Sequence, residues 1–230
     1  MSIKAIHAAG TRIDQQTSLR LPVNRSRGGL AVIMHLDIPS IEFAGYIFDL
    51  DGTLVDTMPL HYAAWRDTLR EFGLNQDLDE DLFYSLGGVP AVNVAGILNQ
   101  HYGTTFEPLG LREVKEERFV KLLPDAPLIE PVVSFAREMA KTHPVSVASG
   151  GPRDLVNDTL EKRGLAPLFP VVVSANDVEH GKPAPDTFLL AAEKMGVAAE
   201  SCLVFEDAQL GMEAAEAADM QWVRIPRNFS

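Results

Sequence analysis

The chain has 230 residues, of which 46% are apolar and 23% charged, enough apolar material for one large domain or a core domain with an insertion. Its formal net charge of −12 argues against nucleic acid or an anionic membrane surface as the main partner, but does not exclude a small phosphorylated metabolite. No apolar run approaches the ~20 residues of a membrane span, and the single cysteine, Cys202, cannot form an intrachain disulfide. We therefore expect a soluble protein of a reducing compartment, a cytoplasmic monomer.

The first 33 residues differ in composition from the rest of the chain. They contain one carboxylate, Asp14, and five basic residues, which are Lys4, Arg12, Arg20, Arg25 and Arg27. This composition is typical of an organellar transit peptide; the alternative, which we prefer, is an untranslated leader with Met34 as the true start. In either case we expect residues 1–33 to be disordered or dispensable and to contribute nothing to the core.

The apolar run at residues 44–48 is predicted to form a buried strand, because it is too short for a helix and Gly52 soon follows. Asp49 and Asp51 come at its C-terminal end, where parallel sheets bind ligands, and residues two apart on an extended chain point the same way. Gly52 permits a sharp turn that leaves N–H groups available for an anion. Carboxylates this close repel, and a bound cation is the ordinary relief. The stretch therefore predicts a divalent metal and an anionic substrate.

After the acid pair the pattern becomes helical. Apolar residues recur at helical spacing from Leu60 to Phe72, and three more short amphipathic segments follow, each ended by Gly or Pro. Residues 58–124 are therefore predicted to be an all-helical insertion. Beyond them, helices alternate with apolar runs that lack period-two polarity, which indicates a parallel sheet covered on both faces. The predicted fold is α/β, a Rossmann-like doubly wound parallel sheet formed by residues 34–57 and 125–230.

Three further groups of polar residues fall at predicted strand ends or helix starts. Ser149 and Gly150 precede a helix and could either cradle a phosphate or simply cap that helix. Lys182 lies in a rigid Gly-Lys-Pro loop and could balance a phosphoryl group, although most lysines are solvated. Glu206 and Asp207 end a strand, and acids at a helix start are also ordinary caps. We expect all three groups to lie with the acid pair along one edge of the sheet.

Together, the four groups resemble in order the four motifs of the haloacid dehalogenase superfamily of phosphatases and phosphomutases. The matching stretches are FDLDGTLVDT, the Ser of VASGG, the Lys of GKPAPD, and FEDAQLGMEAA. The resemblance covers residues 44–226 and is strongest in the sugar-phosphatase and β-phosphoglucomutase-like branch. Members of that branch carry a helical cap inserted after the first motif, which implies that residues 58–124 are a cap domain.

The resemblance also implies roles for individual residues. Asp49 would be the nucleophile that forms an aspartyl phosphate, and Asp51 would protonate the leaving oxygen and then take a proton from water. Mg²⁺ would keep Asp49 ionised, while Asp51, off the metal, could carry a proton. The implied metal-binding residues are Asp49, Asp51 through its carbonyl, Glu206 and Asp207. The implied substrate-binding residues are Thr53, His61, Ser149, Gly150 and Lys182.

His61 and Trp65 lie four residues apart and so share a helix face. That face could line the mouth of the site or pack within the inserted helices. We favour contact with the leaving group for His61 and packing for Trp65.

Four other functions compete with a phosphatase. Asp51 argues against a dehalogenase, which lacks this acid. Phosphonate-cleaving relatives use a cap lysine, and no lysine occurs between Asp51 and Val114. The intact motifs argue against a binding protein on an inactive scaffold. A β-phosphoglucomutase-like mutase is the remaining alternative, but it needs a second anion site in the cap, and residues 86–91 carry neither Lys nor Arg. We therefore expect a Mg²⁺-dependent phosphatase acting on a small sugar or polyol phosphate.

Overall fold

The computed structural model describes residues 19–22 and 33–226. Their strands are β1 Leu19–Pro22, β2 Ile33–Leu36, β3 Gly45–Phe48, β4 Val145–Ala148, β5 Val171–Val173, β6 Cys202–Glu206 and β7 Gln221–Arg224. Their α-helices are α1 Met58–Glu71, α2 Glu80–Ser85, α3 Ala91–Tyr102, α4 Pro108–Leu122, α5 Glu130–Met139, α6 Arg153–Lys162, α7 Asp186–Met195 and α8 Gln209–Ala217. None of these helices combines the length and apolarity that a membrane span requires.

A parallel five-stranded sheet with the order β5-β4-β3-β6-β7 forms the centre of the molecule. The chain runs outward from β3 in both directions, so β3 lies where the strand order reverses, the position at which such sheets bind ligands. The register places Phe48 beside Val147 on one side and Phe205 on the other. The carboxyl ends of β3, β4 and β6 therefore meet at one edge, and the predicted α/β fold with a parallel sheet is confirmed.

The sheet is buried on both faces because its strands are apolar on both. Tyr46 and Phe48 of β3 belong to the apolar cluster on one face, and Ile47 belongs to the cluster on the other. The rings of Phe48 and Phe205 stack with their centroids 4.7 Å apart. Burial of each such side chain contributes about 1.5–3 kcal/mol. These neighbours fix the register of β3 against β6, and so the relative positions of the acids that follow each strand.

The four helices α1 to α4 come between β3 and β4 in the chain and share an apolar cluster of their own. Its fully or nearly buried members include Trp65, Leu69, Phe83, Leu98 and Leu111. Two adjacent segments join these helices to the sheet, and the backbone N–H of Asp56 donates a 2.9 Å hydrogen bond across them to the carbonyl of Pro127. We refer to α1 to α4 as the helical layer.

Two short strands precede the sheet. β1 pairs antiparallel with β2 over the whole length of both, from Leu19 beside Leu36 to Pro22 beside Ile33. Residues 19–22 of the segment expected to be disordered or dispensable thus form a strand, while the rest of that segment, apart from Ile33, lies outside the described part of the chain. Leu36 is fully buried in the core. Whether residues 1–33 are dispensable stays a prediction.

Candidate active site

Asp49 and Asp51 follow β3 in a tight turn. Gly52 has a φ of 82°, a conformation that strains other residues, and its N–H donates a 2.8 Å hydrogen bond to the carbonyl of Val55. A Cβ atom at Gly52 would also overlap the carboxylate of Asp207. Only glycine therefore allows the backbone after β3 to approach the acid that follows β6.

Three buried carboxylates gather beside this turn. One oxygen of each of Asp49, Glu206 and Asp207 lies within 4.8 Å of the others. Gly211 permits this arrangement, since a Cβ atom there would overlap the carboxylate of Glu206. An all-oxygen, anionic set of this kind fits a hard divalent cation such as Mg²⁺. The carboxylate of Asp51 is not part of the group, and the expected contribution of its carbonyl stays a prediction.

Lys182 contacts two of the three carboxylates. Its Nζ donates hydrogen bonds of 2.7 Å to Oδ1 of Asp49 and 2.7 Å to Oε2 of Glu206. Burial lowers the pKa of Lys182, but the charges of Asp49 and Glu206 outweigh it and raise that pKa above its usual value. Burial, together with the neighbouring Glu206, raises the pKa of Asp49 to about 7 despite the lysine.

Asp51 has different surroundings. Oγ1 of Thr57 donates a 2.6 Å hydrogen bond to Oδ1 of Asp51, and Nε2 of His61 lies 3.4 Å from the same oxygen. Burial raises the pKa of Asp51, but these two contacts and the charge of Lys115 outweigh it and hold the pKa below its usual value. Burial lowers the pKa of His61 to about 4, so the imidazole is neutral at pH 7.

These directions reflect the protein's own groups alone. The expectation that Asp49 is ionised and that Asp51 can carry a proton was tied to a bound Mg²⁺, and it stays a prediction. Asp49 is the acid with the raised pKa, because it is buried and Glu206 lies beside it. Asp51 is the acid with the lowered pKa, because His61, Thr57 and Lys115 surround it.

Lys115 is a site residue that the sequence analysis missed. It projects from α4 into the same cavity, is 4% exposed, and its Nζ lies 5.2 Å from the ring centroid of Phe119 and 5.9 Å from that of Trp65. Burial lowers its pKa to about 8. The lysine-free stretch that begins at Asp51 ends at Val114, and Lys115 is the next residue.

The ring of His61 stacks on Phe119 at a centroid distance of 3.8 Å, with the planes 3° apart. Phe119 and Lys115 are four apart on α4, so they lie on the same face of that helix. The spacing of Leu111, Lys115 and Phe119 was the available signal, because it places a lysine in the middle of a buried stripe.

Ser149 and Gly150 follow β4 at the same edge of the sheet. Oγ of Ser149 accepts a 3.0 Å hydrogen bond from the N–H of Gly151, and the residue that caps α6 is Pro152. The alternative interpretation of Ser149 as the cap of α6 is therefore wrong. A Cβ atom at Gly150 would lie 3.5 Å from the carbonyl oxygen of Gly88, so the loop between α2 and α3 approaches this turn closely.

The loop after β4 is fastened to the loop after β5. The N–H of Ala175 donates a 3.0 Å hydrogen bond to the carbonyl of Gly151, and the N–H of Arg153 donates a 2.9 Å bond to Oδ1 of Asn176. The guanidinium of Arg153 also donates a 2.6 Å bond to Oδ1 of Asp177. These contacts fix the turn that carries Ser149 relative to the segment that leads to Lys182.

One cavity collects almost all of the predicted site residues. Its lining includes Asp49, Asp51, His61, Ser149, Gly150, Lys182, Glu206 and Asp207. Trp65 lines it too, as well as packing among the inserted helices. Thr53 does not line the cavity; it is fully buried, and its Oγ1 has no hydrogen-bond partner among the described residues.

The chain is similar to known phosphatases and to solved structures of the same fold. The model of the haloacid dehalogenase-like hydrolase family matches residues 46–225. Fructose-1-phosphate phosphatase YqaB of Escherichia coli is 38% identical over 80% of this chain and 97% of its own. A phosphorylated carbohydrates phosphatase of Thermotoga maritima is 32% identical over 76% of this chain and 81% of its own. The crystal structure of a β-phosphoglucomutase from Clostridium difficile covers 78% of this chain and 83% of its own, at a TM-score of 0.69 and 24% identity, a likeness of fold.

Proposed function

The chain belongs to the haloacid dehalogenase-like hydrolase family, as its motifs predicted, and we propose that it hydrolyses a small sugar or polyol monophosphate with the help of Mg²⁺. It is a phosphoric monoester hydrolase, in agreement with the phosphatase names of its relatives. The observation that carries the proposal is the placement of Asp49 and Asp51 at one strand end in opposite surroundings. One carboxylate lies beside Lys182 and a cation-binding set of oxygens, and the other faces the cavity under the helical layer.

Asp49 is the proposed nucleophile. Lys182 fixes the orientation of its carboxylate, so that an oxygen of Asp49 can approach phosphorus opposite the leaving group. The bond from that oxygen to phosphorus forms as the bond to the ester oxygen breaks, which gives an aspartyl phosphate. Ser149 and the turn after it, together with Lys182, would bind the phosphoryl oxygens, where negative charge concentrates.

Asp49, Glu206, Asp207 and the carbonyl of Asp51 would hold the metal. The buried acidic group supports this assignment, because oxygen ligands of this kind suit Mg²⁺. The bound cation would keep Asp49 ionised despite its raised pKa and neutralise charge on the phosphoryl oxygens.

Asp51 is the proposed acid and base. It takes up a proton when the phosphate dianion enters, because a neighbouring negative charge raises the pKa of a carboxyl group. It then gives that proton to the leaving oxygen and later removes one from the water that attacks the aspartyl phosphate. Thr57 and His61 would keep Asp51 aimed at the cavity through both steps.

The leaving group would lie under the helical layer, which we propose to act as a cap. The presence of Lys115 there changes two arguments made from the sequence. It supplies the cavity lysine whose absence excluded phosphonate cleavage, and a cap cation whose absence disfavoured a mutase. We still favour a phosphatase, because the charge of Lys115 acts on Asp51 beside it, and the relatives at 38% and 32% identity carry phosphatase names. We also propose a cytoplasmic location, which the unpaired, buried Cys202 supports.

The test is phosphate release from fructose 1-phosphate and from p-nitrophenyl phosphate. Wild-type protein is expected to release phosphate from both with Mg²⁺ and to stop when a chelator is added. Asp49→Asn should be inactive, whereas Asp154→Asn, a change at an exposed acid of α6, should behave as wild type. Activity that survives Asp49→Asn or is indifferent to the chelator would contradict the proposal.

A second assay separates the phosphatase from the mutase. The enzyme is incubated with β-glucose 1-phosphate and a bisphosphate primer, and both products are followed. We expect inorganic phosphate to form faster than glucose 6-phosphate. The opposite result would make the protein a mutase.

A further inference from the structure

Glu116 is the acidic residue that the helical layer contributes to the cavity. The apolar side chains of that wall are Met58, Trp65, Phe83, Leu86, Val89, Pro90, Ala91 and Val94. Against them the helical layer contributes His61 and the neighbouring pair Lys115 and Glu116 as ionisable groups. His61 and Lys115 already face Asp51. Glu116 is therefore the polar group of this wall that the chemistry at phosphorus leaves unused.

The carboxylate of Glu116 is available to a ligand. Its side chain is 25% exposed, and its ion-pair contact with Nε of Arg112 is 3.8 Å long. That separation is beyond hydrogen-bond range, and Nε of Arg112 has no hydrogen-bond partner in the described part of the chain. A carboxylate accepts hydrogen bonds through both oxygens, so Glu116 can receive two hydroxyl groups.

The charges around the cavity restrict what the leaving group can carry. The charged lining residues are Asp49, Asp51, Glu116, Glu206, Asp207, Lys115 and Lys182. Both lysines have acidic neighbours of their own, since Lys182 is bonded to two carboxylates and Lys115 lies near Asp51 and Glu116. A second anionic group on the substrate would meet the negative charge of Glu116, and like charges at close range repel.

We infer that Glu116 determines specificity: it accepts hydrogen bonds from the hydroxyl groups of a neutral, polyhydroxylated leaving group and disfavours a leaving group with a second phosphate. This inference rests on the proposed function, because it takes the phosphoryl group to lie at Asp49. It assigns the substrate class to a sugar or polyol with one phosphate.

The experiment compares three esters in Glu116→Ala, Glu116→Gln and the control Glu117→Gln, whose side chain is exposed on the same helix. Fructose 1-phosphate offers hydroxyls, fructose 1,6-bisphosphate adds a second phosphate, and p-nitrophenyl phosphate has no hydroxyl group on its leaving group. The readout is the ratio of kcat/KM values between esters, which cancels any change in the amount of folded enzyme.

Glu116→Ala should lower the ratio of fructose 1-phosphate to p-nitrophenyl phosphate about tenfold, the effect of one hydrogen bond to a charged group. Glu116→Gln, which can still accept hydrogen bonds, should lower this ratio by less than about threefold. The same variant should raise the ratio of bisphosphate to monophosphate about fivefold, because a like charge has been removed. Glu117→Gln should change neither ratio.

Suppose that the wild type hydrolyses these esters, that Glu116→Ala leaves the ratio of fructose 1-phosphate to p-nitrophenyl phosphate within about twofold of wild type, and that Glu116→Gln does the same for the ratio of bisphosphate to monophosphate. The inference is then wrong while the proposed function stands. If Glu117→Gln shifts the ratios as much as Glu116→Gln does, the effect belongs to the charge of the helix and the inference is also wrong. A wild-type protein that hydrolyses none of the three esters would overturn the proposed function, and the inference with it.

Discussion

Nζ of Lys182 lies 2.7 Å from Oδ1 of Asp49, and both side chains are almost completely buried. The two residues are 133 positions apart in the chain, one after β3 and the other in the loop before α7. Glu206 shares the same ammonium group at 2.7 Å. A single buried cation is thus divided between two carboxylates, which leaves the Asp49 side chain short of positive charge. Several measurable properties depend on that shortage.

Asparagine at the two strand-end acids should have opposite effects on stability in the presence of a chelator. The pKa of Asp49 is raised to about 7, so its contribution to the free energy of unfolding is complete below about pH 4 and lost as the pH rises through 7. At pH 8, Asp49→Asn should therefore raise that free energy by about 4 kcal/mol. Asp51→Asn should lower it, because the ionised form of Asp51 is the stabilised one. Denaturant titrations at pH 5 and pH 8 measure both.

The difference between wild type and Asp49→Asn should shrink markedly at pH 5, where Asp49 keeps its proton in the folded state. A stabilisation of equal size at pH 5 and pH 8 would show that the asparagine improves packing and that the charge at Asp49 is not its source.

Asp51→Asn should reduce turnover more than substrate binding. The proposed roles of Asp51, protonation of the leaving oxygen and activation of water, belong to transition states. We expect kcat to fall by about 10²-fold or more, with KM within about threefold of wild type. Steady-state kinetics with fructose 1-phosphate provide the measurement. A sharp rise in KM at near-normal kcat would make Asp51 a binding residue.

Replacement of Lys115 by methionine should stabilise the protein and impair the enzyme. Burial lowers the pKa of Lys115 to about 8, so the charged side chain is held at a cost below that pH. Lys115→Met should raise the free energy of unfolding at pH 7 by about 1–3 kcal/mol. This difference in the free energy of unfolding should diminish between pH 8 and 10, because the wild-type lysine loses its proton at a lower pH in the folded state than in the unfolded state. Activity on fructose 1-phosphate should fall, since Asp51 loses a positive neighbour.

Lys121→Met is the matched control, because Lys121 is exposed on the same helix. This substitution should change the free energy of unfolding by no more than about 0.5 kcal/mol, and it should leave the activity on fructose 1-phosphate unchanged. A Lys115→Met protein that is less stable than wild type at pH 7 would show that the contacts of Lys115 outweigh its burial.

The sequence was sufficient to predict which residues lie at the edge of the sheet where the strands end. Asp49, Ser149 and Glu206 each end a strand of one parallel sheet, and parallel strands place their carboxyl ends at one edge. The closeness of the two acids can therefore be predicted from the topology, without knowledge of any side-chain contact. The Rossmann-like class follows from the same alternation of strands and helices.

What could not be predicted depends on contacts between distant parts of the chain. Lys115 lies near Asp51 because α4 packs against α1, and nothing around Lys115 in the sequence indicates that Asp51 is its neighbour. The pKa directions of the two acids also depend on such contacts, since burial and Glu206 raise the pKa of Asp49, whereas His61 and Thr57 lower that of Asp51. β1 was missed because its pairing with β2 has no signal in composition.

Asp177 should matter for phosphate binding although it does not line the cavity. It accepts hydrogen bonds from the N–H and Oγ of Ser174 and from Arg153, and so fixes the loop after β5 to the turn of Ser149. Asp177→Ala should lower the free energy of unfolding by about 2 kcal/mol. Inorganic phosphate should become a weaker competitive inhibitor, while Asp154→Ala leaves its inhibition constant unchanged. An unchanged inhibition constant in Asp177→Ala would show that the turn of Ser149 keeps its shape without Asp177.

A chain that begins at Met34 should remain soluble and active. The cluster of buried core residues begins at Leu36 in the described part of the chain, and the truncation removes the β1–β2 ladder. We expect the melting temperature to fall by no more than about 4 °C, which corresponds to roughly 1 kcal/mol. Insoluble or inactive Met34–Ser230 would show that the removed segment is needed.

Trp65 gives the cavity a built-in optical probe. The sequence has two tryptophans, and Trp65 lines the cavity beneath the ammonium group of Lys115, whereas Trp222 lies on β7 with its Nε1 donating to Glu216. A Trp222→Phe protein would fluoresce from Trp65 alone. Because the emission of an indole ring depends on the charges and solvent around it, a molecule that enters the cavity changes the signal at once. Dissociation constants for unreactive analogues can then be measured by fluorescence titration, without any catalytic turnover.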